Sequence, residues 1–145
     1  MNPQIWGPHA WKFLHTITLS YPECPTITDK NNIKSFFNNL QYVLPCNSCK
    51  IHFSTNLKKY PLSDEILASK EQLVKWLINI HNEINIMNGE PTKTYKEVLI
   101  EYYKMYNDTN ICDYKYVYIT FGVLLIVVFI LFMVIYFKYI SKQHQ

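Results

Sequence analysis

Cys46-Asn47-Ser48-Cys49 is the stretch of this sequence best suited to chemistry. Two thiols at that spacing can close into a disulfide and reopen by exchange with another thiol. Pro45, just before them, can stop one helix and open the next, so both cysteines are predicted in the first turn of a helix. There the positive end of the helix dipole favours thiolate over thiol. A free cysteine ionises near pH ~8.5, and such positions lower this to roughly 3.5–7.5, which makes the sulfur a nucleophile at neutral pH. The same pair could instead be half of a zinc site, with His52 as a third ligand, although Cys24 and Cys112 do not form a second C-x-x-C to complete it. A thioredoxin-like arrangement would need a strand before the pair, and here an amphipathic helix precedes it.

His81, Asn82 and Asn85 share one side of a predicted helix and offer donors and acceptors to a flat polar ligand. His15 stands one turn after Trp11 on another. Taken alone, a His-Asn pair is more often a solvated helix face, and a histidine beside a tryptophan is more often a core residue than a ligand.

Five helices must position these groups. Apolar residues recur at helical spacing over most of the first 106 positions, with no period-two strand, so this part is expected to be an all-α bundle. The first helix is expected over residues 8–20, ending at Tyr21-Pro22 because a residue before proline leaves the helical region. A second starts near Thr28 or Asp29 and carries Ile33, Phe36, Phe37, Leu40 and Leu44 toward the core. The cysteine helix reaches about Lys59. Ser69 and Gln72 form a capping box for a fourth, whose buried stripe is Leu73, Trp76, Leu77, Ile80, Ile84 and Met87. A short fifth, over residues 95–106, buries Val98, Leu99 and Tyr102.

Residues 107–116 read as a juxtamembrane linker, residues 117–137 as a single transmembrane helix and residues 138–145 as a short tail. The span has no charged residue, and at ~1.5 Å per residue it matches the ~30 Å hydrocarbon core of a bilayer. Tyr114, Tyr116, Tyr118, Tyr136 and Tyr139, with Lys115, Lys138 and Lys142, are expected at the two interfaces. Lysine balance does not orient the span, and the opening MNPQIWGPHAWK lacks the form of a secretory signal, so the bundle is expected in the cytosol. Ahead of the span, twelve Lys face eleven acidic residues, which argues against nucleic acid as a partner. No arginine is present, so a phosphate would have to be met by lysine, histidine or backbone amides.

Five stretches appear in a shared order: Trp6-Gly7-Pro8-His9-Ala10-Trp11, Leu14-His15-Thr16, Tyr21-Pro22-Glu23-Cys24-Pro25-Thr26, Pro45-Cys46-Asn47-Ser48-Cys49 and His81-Asn82-Glu83-Ile84-Asn85. Together they resemble the Erv/ALR-type FAD-linked sulfhydryl oxidases over about residues 1–112. The opening Met-Asn-Pro and His52 are similar to versions encoded by large cytoplasmic DNA viruses. The resemblance implies a four-helix bundle plus a short fifth helix, binding FAD and pairing as a homodimer. Cys46 would exchange with an incoming dithiol, Cys49 would pass electrons to FAD, and dioxygen would take them as hydrogen peroxide.

By the same resemblance, Gly7, Trp11, His15, His52, Trp76, His81, Asn82, Asn85, Lys93 and Tyr102 are the cofactor-binding candidates, with no metal. Gly7 would mark a close approach before the first helix, and His81, Asn82 and Asn85 would hold the adenine and ribose. Glu90 stands where the family usually has Lys, so Lys93 is expected to reach the phosphates. Cys112, with Cys24, is a candidate shuttle to a thioredoxin-like carrier or a virion protein; the alternative is a static bridge or a free thiol. The competing functions are a membrane-tethered zinc-binding adaptor and a flavin-free reductase or isomerase.

Overall fold

The computed structural model describes residues 1–143, with side chains at all of these except 108–117, 137 and 139–143. Five α-helices follow in order: α1 (Pro3–Leu19), α2 (Ile27–Val43), α3 (Asn47–Lys59), α4 (Lys70–Asn88) and α5 (Tyr95–Gln143). A 3-10 turn, Ile66–Ala68, leads into α4, and the described residues contain no strand. The chain divides into two compact units, Met1–Val98 and Leu99–Gln145.

Helix ends follow capping chemistry, and this moves several predicted starts. α1 begins at Pro3 instead of Pro8, because Asn2 caps it, its Oδ1 accepting from Gln4 N at 3.0 Å, and Pro3 fits the first helical position. Pro8 lies inside the helix, where its missing N–H leaves one helical hydrogen bond unmade. α2 begins two residues early: Thr26 and Asp29 form a reciprocal capping box, with Thr26 N on Asp29 Oδ2 at 2.8 Å and Asp29 N on Thr26 Oγ1 at 3.2 Å. Ser69 caps α4, its Oγ accepting from Gln72 N at 3.3 Å, one half of the expected capping box. α4 ends at Gly89, whose φ of 72° is the left-handed conformation that glycine accepts without strain.

The core of the first unit is built from Leu14, Tyr21, Phe37, Phe53, Leu57, Leu67, Leu73, Trp76, Leu77 and Ile80. Phe37 has no solvent exposure and meets Trp76 edge-on, ring centroids 4.9 Å apart at 76°. Tyr21 spends its hydroxyl on Leu67 O at 3.0 Å, so its buried oxygen is paired. The predicted α4 stripe stops early: Ile84 is half-buried and Met87 is exposed.

The fifth helix does not end near Tyr106. Thr94 and Glu97 cap its start, and it continues through residues 107–116, the expected linker, to Gln143. Helical geometry gives those polar residues their backbone partners, so polarity alone does not end the helix. Within α5, Tyr118–Tyr136 is a 19-residue stretch of mean hydropathy 3.0 with no buried part, long and apolar enough to cross a bilayer. Tyr118, Tyr136 and Lys138 lie among the described side chains, whereas Tyr114, Lys115, Tyr116, Tyr139 and Lys142 lie outside them.

Candidate functional site

Leu44 leaves α2 in extended backbone, and Cys46, also extended, is the residue that caps α3. Cys46 therefore sits one step ahead of the predicted first turn, with Cys49 the third residue of the helix. The two are joined as a disulfide, Cα atoms 5.1 Å apart, within the span such a bridge requires. Cys46 Sγ accepts from Cys49 N at 3.3 Å and lies 3.0 Å from Ser48 Oγ. A backbone N–H left over at the helix start thus points at sulfur, and it stabilises negative charge there once the bridge opens. Both cysteines are half-buried. The start of the chain reaches the same place, with Met1 N donating to Pro45 O at 3.4 Å.

A second group joins α1 to α4. Trp11 and His81 stack face to face, centroids 3.9 Å apart and planes 8° from parallel. His15, only 2% exposed, shares a hydrogen bond with His81 through Nε2 and Nδ1 at 3.0 Å. One ring must donate and the other accept, so the pair cannot hold a proton on both of these nitrogens. Burial first, then the charges of His15 and Lys93, push His81 from 6.5 down to about 3. His81 is therefore neutral at pH 7, and Lys93 is close enough for its ammonium to be felt there.

Asn82 and Asn85 turn toward their own chain. Asn82 makes two bonds of 2.9 Å with the Lys93 backbone, one to O and one from N, and Asn85 Nδ2 donates to Pro91 O at 3.2 Å. Both amides therefore hold the segment after Gly89 against α4 and so position Lys93.

A contact absent from the sequence reading lies at the other end of α3. Lys59 Nζ and Tyr60 Oη both donate to Glu83 Oε1, at 2.8 and 2.7 Å, and hold that carboxyl below the usual range. Trp76 Nε1 donates to Tyr60 O at 2.8 Å. These bonds tie the cysteine helix to the histidine helix. No local sequence signal announces them, because the partners stand 16 to 24 positions apart.

Other predicted residues are distributed more widely. Trp76 is a core residue with its indole N–H engaged by Tyr60, and His52 is half-buried on α3. Gly7 lies inside α1 rather than before it, and a Cβ there would meet no protein atom within 4 Å. Tyr102 is buried in the second unit, and burial raises its hydroxyl pKa. Cys24 is exposed with a free thiol, whereas the Cys112 side chain lies outside the described residues. Among the described residues no group of three His, Cys, Asp or Glu could hold a metal ion. Two buried donors have no hydrogen-bond partner among the described residues, Trp6 Nε1 and Asn56 Nδ2. Nothing in the motif pattern had marked Asn56.

Residues 8–104 match the Erv1/Alr family. The chain is 48% identical over 99 residues to the "Probable FAD-linked sulfhydryl oxidase R368" of Acanthamoeba polyphaga mimivirus, a match covering 68% of this chain and 69% of that one. It is 31% identical over 107 residues to the FAD-linked sulfhydryl oxidase ERV1 of Arabidopsis thaliana, covering 74% of this chain and 54% of the plant protein. The crystal structure of the FAD binding domain of Erv1 from Saccharomyces cerevisiae superposes with a TM-score of 0.61 at 29% identity, covering 65% of this chain and 87% of that one.

Proposed function

From the premise that this chain belongs to the Erv1/Alr family, we propose that it is a FAD-linked sulfhydryl oxidase whose redox pair is Cys46 and Cys49. The observation that carries this is the Cys46–Cys49 disulfide at the N-terminus of α3. A substrate thiolate attacks Cys46 Sγ, the Cys46–Cys49 bond breaks, and Cys49 leaves as a thiolate stabilised by the helix N-terminus. The second substrate thiol then displaces Cys46, which leaves as a thiolate held by Cys49 N–H and the Ser48 hydroxyl. The substrate departs with a new disulfide, and the enzyme holds two thiols. FAD, when bound, would supply the two-electron chemistry that returns them to a disulfide, with dioxygen as the final acceptor giving hydrogen peroxide.

The residues present suit such a cofactor. The stacked Trp11 and His81 rings offer a flat aromatic surface. His81, kept neutral, adds no charge of its own, and Lys93 offers the nearby cation for a pyrophosphate. Replacing Lys93 with alanine is expected to weaken FAD binding about tenfold, on the order of 1.4 kcal/mol. Equilibrium titration followed by flavin fluorescence checks this, and an unchanged affinity would remove Lys93 from the phosphate site.

Purified full-length protein should be yellow and should consume oxygen with dithiothreitol, releasing peroxide in step. A colourless protein after incubation with FAD, or one carrying stoichiometric zinc, overturns the proposal. A flavin-free reductase or isomerase would release no peroxide.

In the setting we propose, Tyr118–Tyr136 anchors the enzyme as a single span, with the catalytic unit in the cytosol and a second copy as its dimer partner. The viral relative supports virion proteins or a thioredoxin-like carrier as clients, because disulfides in a reducing cytosol need a dedicated oxidase. Cys112 and Cys24 are the candidates for carrying electrons from those clients to Cys46.

A further inference from the structure

Cys46 is the residue just ahead of α3, and Ser48 is the second residue of that helix. Cys46 Sγ, joined to Cys49, carries no hydrogen, so in the 3.0 Å contact the Ser48 hydroxyl donates and the sulfur accepts. Cys49 N donates to the same sulfur at 3.3 Å. Two donors therefore meet Cys46 Sγ before the bridge opens. A bridged sulfur is a weak, neutral acceptor, whereas a thiolate bears a full charge, and hydrogen bonds to ionised acceptors are roughly twice as strong. The Ser48 hydroxyl thus favours the open, reduced pair over the closed one. A pair whose reduced form is stabilised is the stronger oxidant. Ser48 is exposed, so water partly replaces a lost hydroxyl and bounds the effect.

We propose that Ser48 is a further catalytic residue, whose hydroxyl holds the Cys46 thiolate, raises the reduction potential of the pair and favours release of oxidised substrate. The inference rests on the redox role proposed above for Cys46 and Cys49, and it gives a task to a residue that the motif counts only as spacing. In the mixed disulfide one substrate sulfur is bonded to Cys46 Sγ. The second substrate thiolate attacks that substrate sulfur, the substrate disulfide forms, and the bond to Cys46 breaks with its electron pair left on Cys46 Sγ. The substrate is oxidised by two electrons and the enzyme pair reduced by two, while Ser48 keeps its proton. In the competing step Cys49 returns to Cys46 and expels the substrate unoxidised. There the charge departs on the substrate sulfur, so the Ser48 bond assists only the productive branch.

The test uses FAD-loaded full-length protein in detergent, equilibrated without oxygen against mixtures of oxidised and reduced dithiothreitol. Alkylation of Cys46 and Cys49 is then read by peptide mass. Ser48→Ala and Ser48→Val should lower the equilibrium constant for reducing the pair about fivefold, about 20 mV at about 30 mV per tenfold. Ser48→Thr, which has the shape of valine but keeps a hydroxyl, should stay close to wild type, as should Asn47→Ala at the other spacer position. Wild-type potentials in Ser48→Ala and Ser48→Val would overturn the inference. So would an equal shift in Ser48→Thr or Asn47→Ala, which would assign the effect to the helix start instead of the hydroxyl. In each of those cases the redox pair itself stands. A wild-type Cys46–Cys49 pair that never exchanges with the buffer would instead sink the redox assignment and the inference with it. Should Ser48→Ala fail to fold, the Val and Thr variants, alike in shape, decide between them.

Discussion

Replacing Cys49 with serine is expected to reduce dithiothreitol-driven oxygen uptake by about a thousandfold or more, the scale seen when a reacting side chain is removed. Without Cys49 no Cys46–Cys49 disulfide can form, so there is no oxidised sulfur for a substrate thiol to attack. Cys46→Ser should lose activity to a similar degree, and it carries a second readout. Serine is among the preferred helix caps, and its oxygen can take the place of Cys46 Sγ as acceptor for Cys49 N–H. The start of α3 should therefore be kept, and the variant should retain its fold and its flavin band. A Cys49→Ser protein with more than a tenth of wild-type activity would show that the electrons travel by another route. If both variants were colourless and unfolded, the pair would instead be a structural bridge.

The second large effect is on pH. His81 ionises near 6.5 in an unfolded chain, but burial and the charges of His15 and Lys93 push it to about 3 in the folded protein. Between those values the unfolded chain binds the proton and the folded one refuses it. The stability from a neutral His81 is thus fully present above pH 6.5 and falls as the pH drops toward 3. A single group acting this way contributes up to about 1.4 kcal/mol per pH unit, and a half-buried ring supports a smaller slope, about 2 kcal/mol in all between pH 6.5 and pH 4.5. The carboxylates held low by hydrogen bonds, Asp29, Glu83 and Glu97, act below their ordinary values and so mostly beneath this window. Thermal unfolding from pH 7 to 4.5 should show a falling transition temperature in the wild type and a shallower fall in His81→Gln. Parallel curves would mean that His81 takes up its proton without cost.

Much of this architecture was legible because it depends on neighbours along the chain. Helical periodicity, Tyr21-Pro22, Pro45, Ser69 with Gln72, and Gly89 mark elements by backbone sterics and capping, which act over a few residues. The apolar stretch that can span a bilayer was readable for the same reason, since membrane crossing is set by length and composition. Errors arose where two local signals competed. Asn2 outweighed Pro8 as the start of α1, Thr26 outweighed Thr28 and Asp29 at α2, and residues 107–116 stayed helical although most of their side chains are polar.

By itself, then, the sequence determined an all-α chain, a C-x-x-C at a helix start, a membrane-length apolar helix and the family to which the catalytic unit belongs. Only the tertiary structure decided which side chains meet: Trp11 stacked on His81, His15 bonded to it, Asn82 and Asn85 pinning the segment that carries Lys93, and Glu83 joined to Lys59 and Tyr60. It also decided that Asn56 is buried with a donor to spare. The physical reason is range. Capping and periodicity act within a turn or two of helix, whereas stacking, ion pairing and the desolvation that lowers the His81 pKa depend on groups brought together from distant parts of the chain by the packing of α1, α3 and α4.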